Sequence, residues 1–317
     1  MRRRRSHATD SVVGSAIKRL LSDNDSPKFY LDIRVTGSDT MKVHITADME
    51  GIAVICHDEQ ADYKKMDYPR MREIMTGEVQ AAIEGARDAG AEEILVCDAH
   101  DTGRNLLVER LDTDVEVIEG SSYELGMMSG ISRDFDASMQ VGYHSMRHTH
   151  AGAIGHTYTY EIAELRLNGV VVGESGLSAA IAGHFGVPLV FVSGDAHAIR
   201  QARSLVKNLV GVPTKEGVGL YGVRSLTPEK ARRLIRKGAK EALSRIEDIE
   251  PYVVKKPVLM EVELERPLMA QYCSKIPGVK RKDIRTVSYK ASDIVEAFEV
   301  FDIMNKVASY AKSEGPL

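Results

Sequence analysis

Residues 42–50 read KVHITADME, and residues 94–100 read ILVCDAH. Each stretch passes from a strand-like segment into two potential metal ligands: Asp48 and Glu50 in the first, Asp98 and His100 in the second. Residues two apart in an extended chain point to the same side, so each pair directs two groups one way. If both strands lie in one parallel sheet, the four groups converge at its carboxyl edge, where α/β folds bind ligands.

Strand-like and helical patterns alternate along the chain after Met41. Asn168-Gly169 between two apolar runs predicts a two-residue hairpin turn. The alternation favours a largely parallel sheet covered on both faces, so we predict a three-layer α/β/α fold with a smaller carboxyl-terminal α+β portion. The expected strands are 42–47, 93–97, 115–118, 139–143, 188–192 and 258–264, with a hairpin at 165–172. The expected helices are 69–89, 174–185, 196–207, 228–247 and 292–311.

The bulk composition is that of an ordinary globular protein. The chain has 317 residues, of which 43% are hydrophobic and 28% charged. A net charge of −4 gives no electrostatic case for nucleic acid or an acidic membrane as a partner. We find no uncharged apolar run of about 18 residues and therefore expect no membrane span. Three widely spaced cysteines fit a reducing compartment, which indicates a cytoplasmic protein.

The amino end differs from the rest of the chain. We expect residues 1–40 to be a flexible extension and a compact domain to occupy residues 41–317, with a possible subdivision near residues 211–221. The basic cluster Arg2–Arg5 is not followed by a long apolar stretch, so a secretory signal is not expected. The alternative for this cluster is a targeting or binding arm, including one that contacts nucleic acid.

Further acids and histidines add to the four potential metal ligands named above. His144 ends the strand-like run 139–143, His156 follows the small-residue stretch 151–155, and Glu174 stands at the start of a predicted helix. Small residues allow a backbone to approach a ligand closely. His148, His150 and His197 are expected at the surface.

These residue types suit metal-assisted hydrolysis of an amide. Two metal ions held close together acidify a shared water and polarise the carbonyl, and they require anionic ligands between them. A carboxylate such as Asp48 can bridge two ions, and an unligated histidine such as His156 can move protons near neutral pH. The remaining ligands would be Glu50, His100, His144 and Glu174.

Each residue also has a structural interpretation. Asp48 and Glu50 could cap a helix or solvate a loop, and His144 could be a hydrogen-bonded residue at a strand end. Glu174 could favour a helix amino terminus through the helix macrodipole. Three strand ends that each deliver an acid or a histidine favour the metal site.

The ordered motifs resemble those of the zinc-dependent D-aminopeptidase family, typified by the bacterial dipeptide-operon enzyme. The resemblance covers about Met41 to Ala308. Its motifs are Ala47-Asp48-Met49-Glu50-Gly51, Tyr68-x-x-x-Arg72-x-x-Met75-Thr76-x-Glu78, Asp98-x-His100 with Asn105-Leu106, Val141-Gly142-Tyr143-His144, His156, Val172-Gly173-Glu174-x-Gly176-Leu177, Val192-Ser193-Gly194-Asp195 and Leu226-x-Pro228.

The resemblance implies a cytoplasmic aminopeptidase with two zinc ions per subunit. It implies that Asp48 bridges the ions and that His156 has a catalytic role as acid, base or oxyanion support. It also implies short peptides with an amino-terminal D-residue, such as D-alanyl-D-alanine, as substrates, and a homo-oligomer that is a decamer of stacked pentamers. The implied zinc ligands are Asp48, Glu50, His100, His144 and Glu174.

Two departures from the family pattern concern loops. The segment between His144 and His156 is one residue longer and carries His148 and His150, and the loop after Gly51 carries Cys56 and His57. Both changes bear on the substrate pocket rather than on the metals. The alternatives are an amidohydrolase or an L-aminopeptidase on the same scaffold, or a non-catalytic peptide-binding component of a transport system.

Overall fold

Twelve strands and seven helices follow one another in the computed structural model, which describes residues 40–121, 124–219 and 221–312. The strands are β1 (Met41–Ala47), β2 (Ala91–Asp98), β3 (Glu116–Ile118), β4 (Ala137–Tyr143), β5 (Ile162–Leu167), β6 (Val170–Val172), β7 (Leu189–Asp195), β8 (Val210–Gly219), β9 (Gly222–Ser225), β10 (Val258–Leu264), β11 (Lys280–Arg281) and β12 (Thr286–Ala291). The helices are α1 (Asp58–Ala61), α2 (Tyr68–Asp88), α3 (Glu174–His184), α4 (Ala196–Leu205), α5 (Pro228–Leu243), α6 (Pro267–Cys273) and α7 (Ile294–Lys312).

The larger sheet has seven strands in the order β3-β2-β1-β4-β7-β8-β9. Its first six strands pair in parallel, and β9 pairs with β8 in antiparallel orientation. Every residue of β4 and β7 is buried, which is typical of central strands in a parallel sheet that is covered on both faces. The predicted α/β class with a largely parallel sheet is confirmed.

The smaller sheet is antiparallel, with five strands in the order β11-β12-β10-β5-β6. Strands β5 and β6 form the predicted hairpin, in which Leu165 faces Val172. Asn168 and Gly169 both have positive φ angles, 50° and 83°, as a tight two-residue turn requires. This sheet combines the mid-chain hairpin with strands from the carboxyl-terminal part, so the smaller portion is assembled from two parts of the chain.

Helix α3 lies where the two hydrophobic cores meet. Ala179 packs in the core of the larger sheet, whereas Leu177 and Ile181 pack in the core of the smaller one. All its residues except His184 are buried, as expected for a helix that is apolar on every side. The helix therefore holds its first residue, Glu174, at the junction of the two sheets.

The carboxyl-terminal half contains elements that sequence patterns did not predict. Strand β8 occupies residues 210–219, where we considered a subdivision, and α6 and β12 were also missed. The β8 sequence VGVPTKEGVG is rich in glycine and contains proline, both of which disguise a strand. The described residues, from Thr40 onwards, belong to one compact unit.

Two further expectations concern the amino-terminal extension and membrane-spanning helices. The extension assigned to residues 1–40 lies, apart from Thr40, outside the described residues. No described helix is both long enough and apolar enough to cross a membrane.

Candidate metal centre

The carboxyl ends of three adjacent strands bring acids and histidines together. Strand β1 lies between β2 and β4, and Ala47 pairs with Asp98 on one side and Val141 on the other. Asp48, His100 and His144 follow β1, β2 and β4 respectively, so they leave the sheet at one edge. Gly142, with a φ angle of +76°, allows the backbone of β4 to approach the carbonyl of Asp48, because a Cβ atom there would lie 2.1 Å from that oxygen.

The ligand atoms form two groups, each within 4.8 Å, which are Asp48–Glu50–His100 and His144–His156–Glu174. In the first group, His100 Nδ1 lies 2.9 Å from Glu50 Oε2. In the second, His144 Nε2 lies 3.2 Å from Glu174 Oε2. One site therefore holds the five residues implied as zinc ligands together with His156.

Asp48 connects the two groups through its two carboxylate oxygens. Oδ1 lies 3.4 Å from His100 Nδ1, and Oδ2 lies 3.4 Å from His144 Nε2. His156 Nε2 also spans the groups, since it lies 3.8 Å from both Glu50 Oε1 and Glu174 Oε1. A carboxylate with one oxygen towards each group is placed to bridge two cations.

Each histidine of the site has its outer ring nitrogen against a backbone carbonyl. His100 Nε2 donates to Ala61 O at 2.9 Å, His144 Nδ1 to Ser145 O at 2.9 Å, and His156 Nδ1 to Ile154 O at 3.0 Å. Such bonds fix the tautomer and ring orientation of metal-binding histidines. In a neutral imidazole, the inner nitrogen then presents its lone pair to the neighbouring carboxylates.

The donor set fits divalent metal ions. Asp48 Oδ2, Glu50 Oε2 and His144 Nε2 are buried without a hydrogen-bond partner. Buried polar atoms normally have partners, and lone pairs that face one another repel unless a cation lies between them. Imidazole nitrogen together with carboxylate oxygen is a donor set that zinc accepts.

Burial and mutual charge strongly perturb the site. Burial and the adjacent Glu50 carboxylate raise the pKa of Asp48 to about 7. Burial lowers the pKa of His144, but the Glu174 and Asp48 carboxylates outweigh it and raise the value to about 10. Burial and the neighbouring His144 lower the pKa of His156. The carboxylates thus favour a positive charge between them, which a proton on His144 or a bound metal cation can supply.

In the other three ionisable ligands, burial likewise competes with attraction between opposite charges. Burial opposes ionisation of Glu50, but attraction to His100 holds its pKa well below the usual value. Burial opposes protonation of His100, but the Glu50 and Asp48 carboxylates hold its pKa well above the usual value. His144 likewise keeps the pKa of Glu174 low despite burial.

Asp98, which we predicted to point with His100 towards a ligand, organises the loop instead. Its Oδ2 accepts the backbone N–H groups of Asn105 at 2.6 Å and Leu106 at 2.8 Å, and its Oδ1 accepts from the Asn105 side chain at 2.7 Å. The Asn105 amide also donates to His100 O at 2.6 Å. The carboxylate is directed into this turn, so Asp98 holds the loop that carries His100.

Helix α2 supports both ligand loops through its Tyr68-to-Glu78 motif. Arg72 donates from Nε to Asn105 O at 2.7 Å and from Nη2 to Leu106 O at 3.0 Å. At the other end of the motif, Glu78 Oε1 accepts the backbone N–H of Ala53 at 3.0 Å. The spacing of this motif thus lets one helix support the loops after β1 and β2.

A cavity of about 780 Å³ opens onto the candidate ligands. Tyr160 lies beside His156, with ring centroids 5.0 Å apart and ring planes tilted by 37°, and its hydroxyl donates to Asp58 Oδ1 at 2.5 Å. Burial and the Asp58 carboxylate raise the pKa of Tyr160. The volume suits a small ligand such as a short peptide. Other polar lining residues include Asp62, Asp101, Glu161, Asp302, Asn305 and Lys306.

The described histidines that lie outside the two groups include His57, His148, His150 and His197. His148 is exposed and contacts Glu265 Oε1 at 3.0 Å, and His150 is exposed as expected. His197 is only partly exposed. His57 caps α1 and contacts the ring of Tyr221, with centroids 4.9 Å apart and ring planes tilted by 35°.

Two polar residues near the site escaped the sequence interpretation. Lys215 lies on β8 and contacts the Glu50 backbone, and Tyr160 lines the cavity beside His156. A lone lysine on a glycine-rich strand carries no motif. The alternating pattern around Tyr160 likewise does not distinguish a cavity residue from a core residue.

Comparisons with known proteins show which family the chain belongs to. The D-aminopeptidase family model matches residues 41–303. A D-aminopeptidase of Bacillus subtilis (strain 168) is 31% identical over 269 residues, which cover 84% of this chain and 98% of the relative. The solved structure of the Zn-dependent D-aminopeptidase DppA from Bacillus subtilis, a self-compartmentalizing protease, matches with a TM-score of 0.83 at 30% identity, covering 85% of this chain and 98% of that one. The chain belongs to the D-aminopeptidase family of peptide-bond hydrolases.

Proposed function

We propose that this enzyme removes amino-terminal D-residues from short peptides, such as D-alanyl-D-alanine, at a site that holds two zinc ions. Asp48, Glu50 and His100 would hold one ion, and Asp48, His144 and Glu174 the other. The zinc dependence of the DppA relative supports the choice of metal. The buried oxygens and nitrogens without hydrogen-bond partners support the presence of cations.

The position of Asp48 carries the proposal. Its two oxygens face His100 and His144 at equal distances of 3.4 Å, so one carboxylate can serve two ions. A structural role as a loop cap does not require both oxygens to face imidazole nitrogens. Bound zinc supplies an acidified water and a polarised scissile carbonyl.

His156 has the position of a proton carrier. Its Nδ1 donates to the Ile154 carbonyl, so Nε2 faces the space between Glu50 and Glu174. The lowered pKa keeps this nitrogen unprotonated near neutral pH and available to accept a proton. We propose that Nε2 takes a proton on attack and returns it to the leaving amine.

Two further proposals concern the assembly and the location of the enzyme. The relative DppA is described as self-compartmentalizing, and we propose that this chain also forms a homo-oligomer. We further propose a cytoplasmic location, since Cys56, Cys97 and Cys273 are free thiols and two of them are buried.

The test compares hydrolysis of D-alanyl-D-alanine and L-alanyl-L-alanine by zinc-loaded and chelator-stripped protein. We expect cleavage of the D-form only, lost on stripping and restored by zinc. Zinc-dependent cleavage of the L-form would be consistent with the proposed metal site but would reject the proposed preference for an amino-terminal D-residue. Binding of either peptide without turnover by fully loaded protein would indicate a binding protein and overturn the proposal.

A further inference from the structure

Lys215 is a buried lysine directly behind the candidate metal ligands. It is only 2% exposed. Its Nζ donates to the backbone carbonyl of Glu50 and, at 2.5 Å, to that of Ile55. An ammonium group loses much hydration energy on burial, so such a lysine persists where hydrogen bonds and nearby charges offset that loss.

The two carbonyls that accept from Lys215 lie at opposite ends of one loop. This loop, residues 50–55, begins at the proposed ligand Glu50 and contains Val54 in a left-handed conformation with φ of 67°. Non-glycine residues adopt such a conformation only where the surroundings impose it. A single ammonium that binds both ends closes the loop.

Three other side chains bind the loop between those ends. Thr214 Oγ1 donates to Gly51 O at 3.2 Å, and Glu78 Oε1 accepts from Ala53 N at 3.0 Å. Ser225 Oγ accepts from Val54 N at 2.8 Å. Strands β8 and β9 together with helix α2 therefore hold almost every peptide of the loop.

The charges around Lys215 connect it to the ligand carboxylate. Burial lowers the pKa of Lys215 to about 8, and the carboxylates of Asp195, Glu50 and Glu78, which attract its ammonium, oppose that lowering. Each of the three has one buried oxygen without a hydrogen-bond partner. Lys215 is thus a fixed cation that offsets part of the negative charge of the site on the side away from the cavity.

We infer that Lys215 is a positioning residue that sets the orientation of Glu50 towards the metal of the Asp48–Glu50–His100 group. Its bonds reach the backbone of that ligand, whereas the structure records no bond from it to His144, His156 or Glu174. Residues that orient metal ligands typically change metal affinity by about 10–100-fold when replaced. The effect should therefore fall on one metal ion and spare the other. This inference rests on the proposed two-zinc site.

The test is a zinc titration of full-length protein against a competing chelator, which resolves the two binding steps. We expect Lys215→Met to weaken one step by about 10–100-fold and to leave the other unchanged. Lys215→Gln keeps N–H donors but not the charge, so its zinc affinity at the affected step should lie between those of Lys215→Met and the wild type. Lys207→Met, an exposed lysine on the loop before β8, is the matched control and should titrate like the wild type.

Each outcome separates this inference from the proposed function. A folded Lys215→Met protein with two unchanged steps, or with both steps equally weakened, would overturn the positioning role. If Lys215→Met does not fold, Ser225→Ala decides, because Ser225 binds the same loop from the partly exposed strand β9. That variant should weaken the same step by less than about 10-fold, and an unchanged titration would overturn the inference. Wild-type protein that binds no zinc would reject the two-zinc proposal itself.

Discussion

The two ligand groups of the candidate metal centre are built in different ways. Asp48, Glu50 and His100 come directly after two adjacent parallel strands, β1 and β2, so the register of one sheet brings them together. His144 follows β4, but Glu174 begins α3 after a hairpin of the second sheet, and His156 lies on a loop. The first group depends on local strand pairing, whereas the second depends on the docking of two sheets.

Asp48 contacts a histidine of each ligand group, so its replacement should have the largest effect. We expect Asp48→Ala to bind less than one zinc per chain and to lose more than about 10³-fold in kcat/KM, because metal polarisation provides several kcal/mol and each 1.36 kcal/mol is tenfold. Metal analysis and steady-state kinetics measure this. Asp136→Ala, at the amino end of the sheet, is the control. Two tightly bound zinc ions in Asp48→Ala would refute the bridging role.

His156 tests whether the second group combines metal binding with proton transfer. His156→Ala should reduce kcat by about 10²–10⁴-fold, the usual contribution of a positioned acid or base. Its zinc content should remain two per chain, since the proposed ligands are untouched. His148→Ala removes an exposed histidine of the same loop and should behave like the wild type. Loss of a zinc ion in His156→Ala would assign it to the metal instead.

Asp98 tests whether the first group depends on its loop as well as on strand register. Asp98→Ala leaves the N–H groups of Asn105 and Leu106 without their acceptor and loosens the loop of His100. We expect one zinc-binding step to weaken by about 10–100-fold. Asp136→Ala also removes an aspartate that accepts a backbone N–H, but away from the site, and should titrate normally. A normal titration of Asp98→Ala would show that register alone positions His100.

His44 tests the strand beneath the first group through the pH dependence of stability. Burial lowers its folded-state pKa from 6.5 to about 4, so the unfolded chain binds a proton first as the pH falls. The stability contribution is complete above pH 6.5 and is lost as the pH falls towards 4. A shift of this size corresponds to about 3 kcal/mol.

The variant His44→Gln removes this titration. In urea denaturation of chelator-treated protein, its unfolding free energy should fall between pH 7 and pH 4 by about 3 kcal/mol less than that of the wild type. Equal losses in the two proteins would show that His44 does not contribute to the acid sensitivity.

The difference between the groups also explains what the sequence could predict. Asp48, Glu50 and His100 follow apolar strands at a spacing of two, and sheet geometry alone brings them together. Asp98 shares that spacing, yet its carboxylate turns back to the loop, because a strand that ends at Asp98 no longer dictates where its side chain points. Lys215 could not be predicted, because its partners are backbone carbonyls 160 and 165 positions away.

The helices and strands likewise separate into those that local sequence patterns predict and those that they do not. Helices and strands with clear periodicity were predicted to within a few residues, and the Asn168-Gly169 turn was confirmed. Strands β8 and β9 were missed, because their glycines and polar residues hide the pattern of a strand. The joining of the hairpin to β10 is a long-range pairing that no local pattern encodes.

The central claim is that Asp48 joins two metal positions, and anomalous diffraction from zinc-loaded crystals tests it most directly. Data collected above and below the zinc absorption edge locate each ion independently of activity. We predict two peaks, one between Asp48 and His100 and one between Asp48 and His144. A single peak, or peaks that do not contact the Asp48 carboxylate, would contradict the claim.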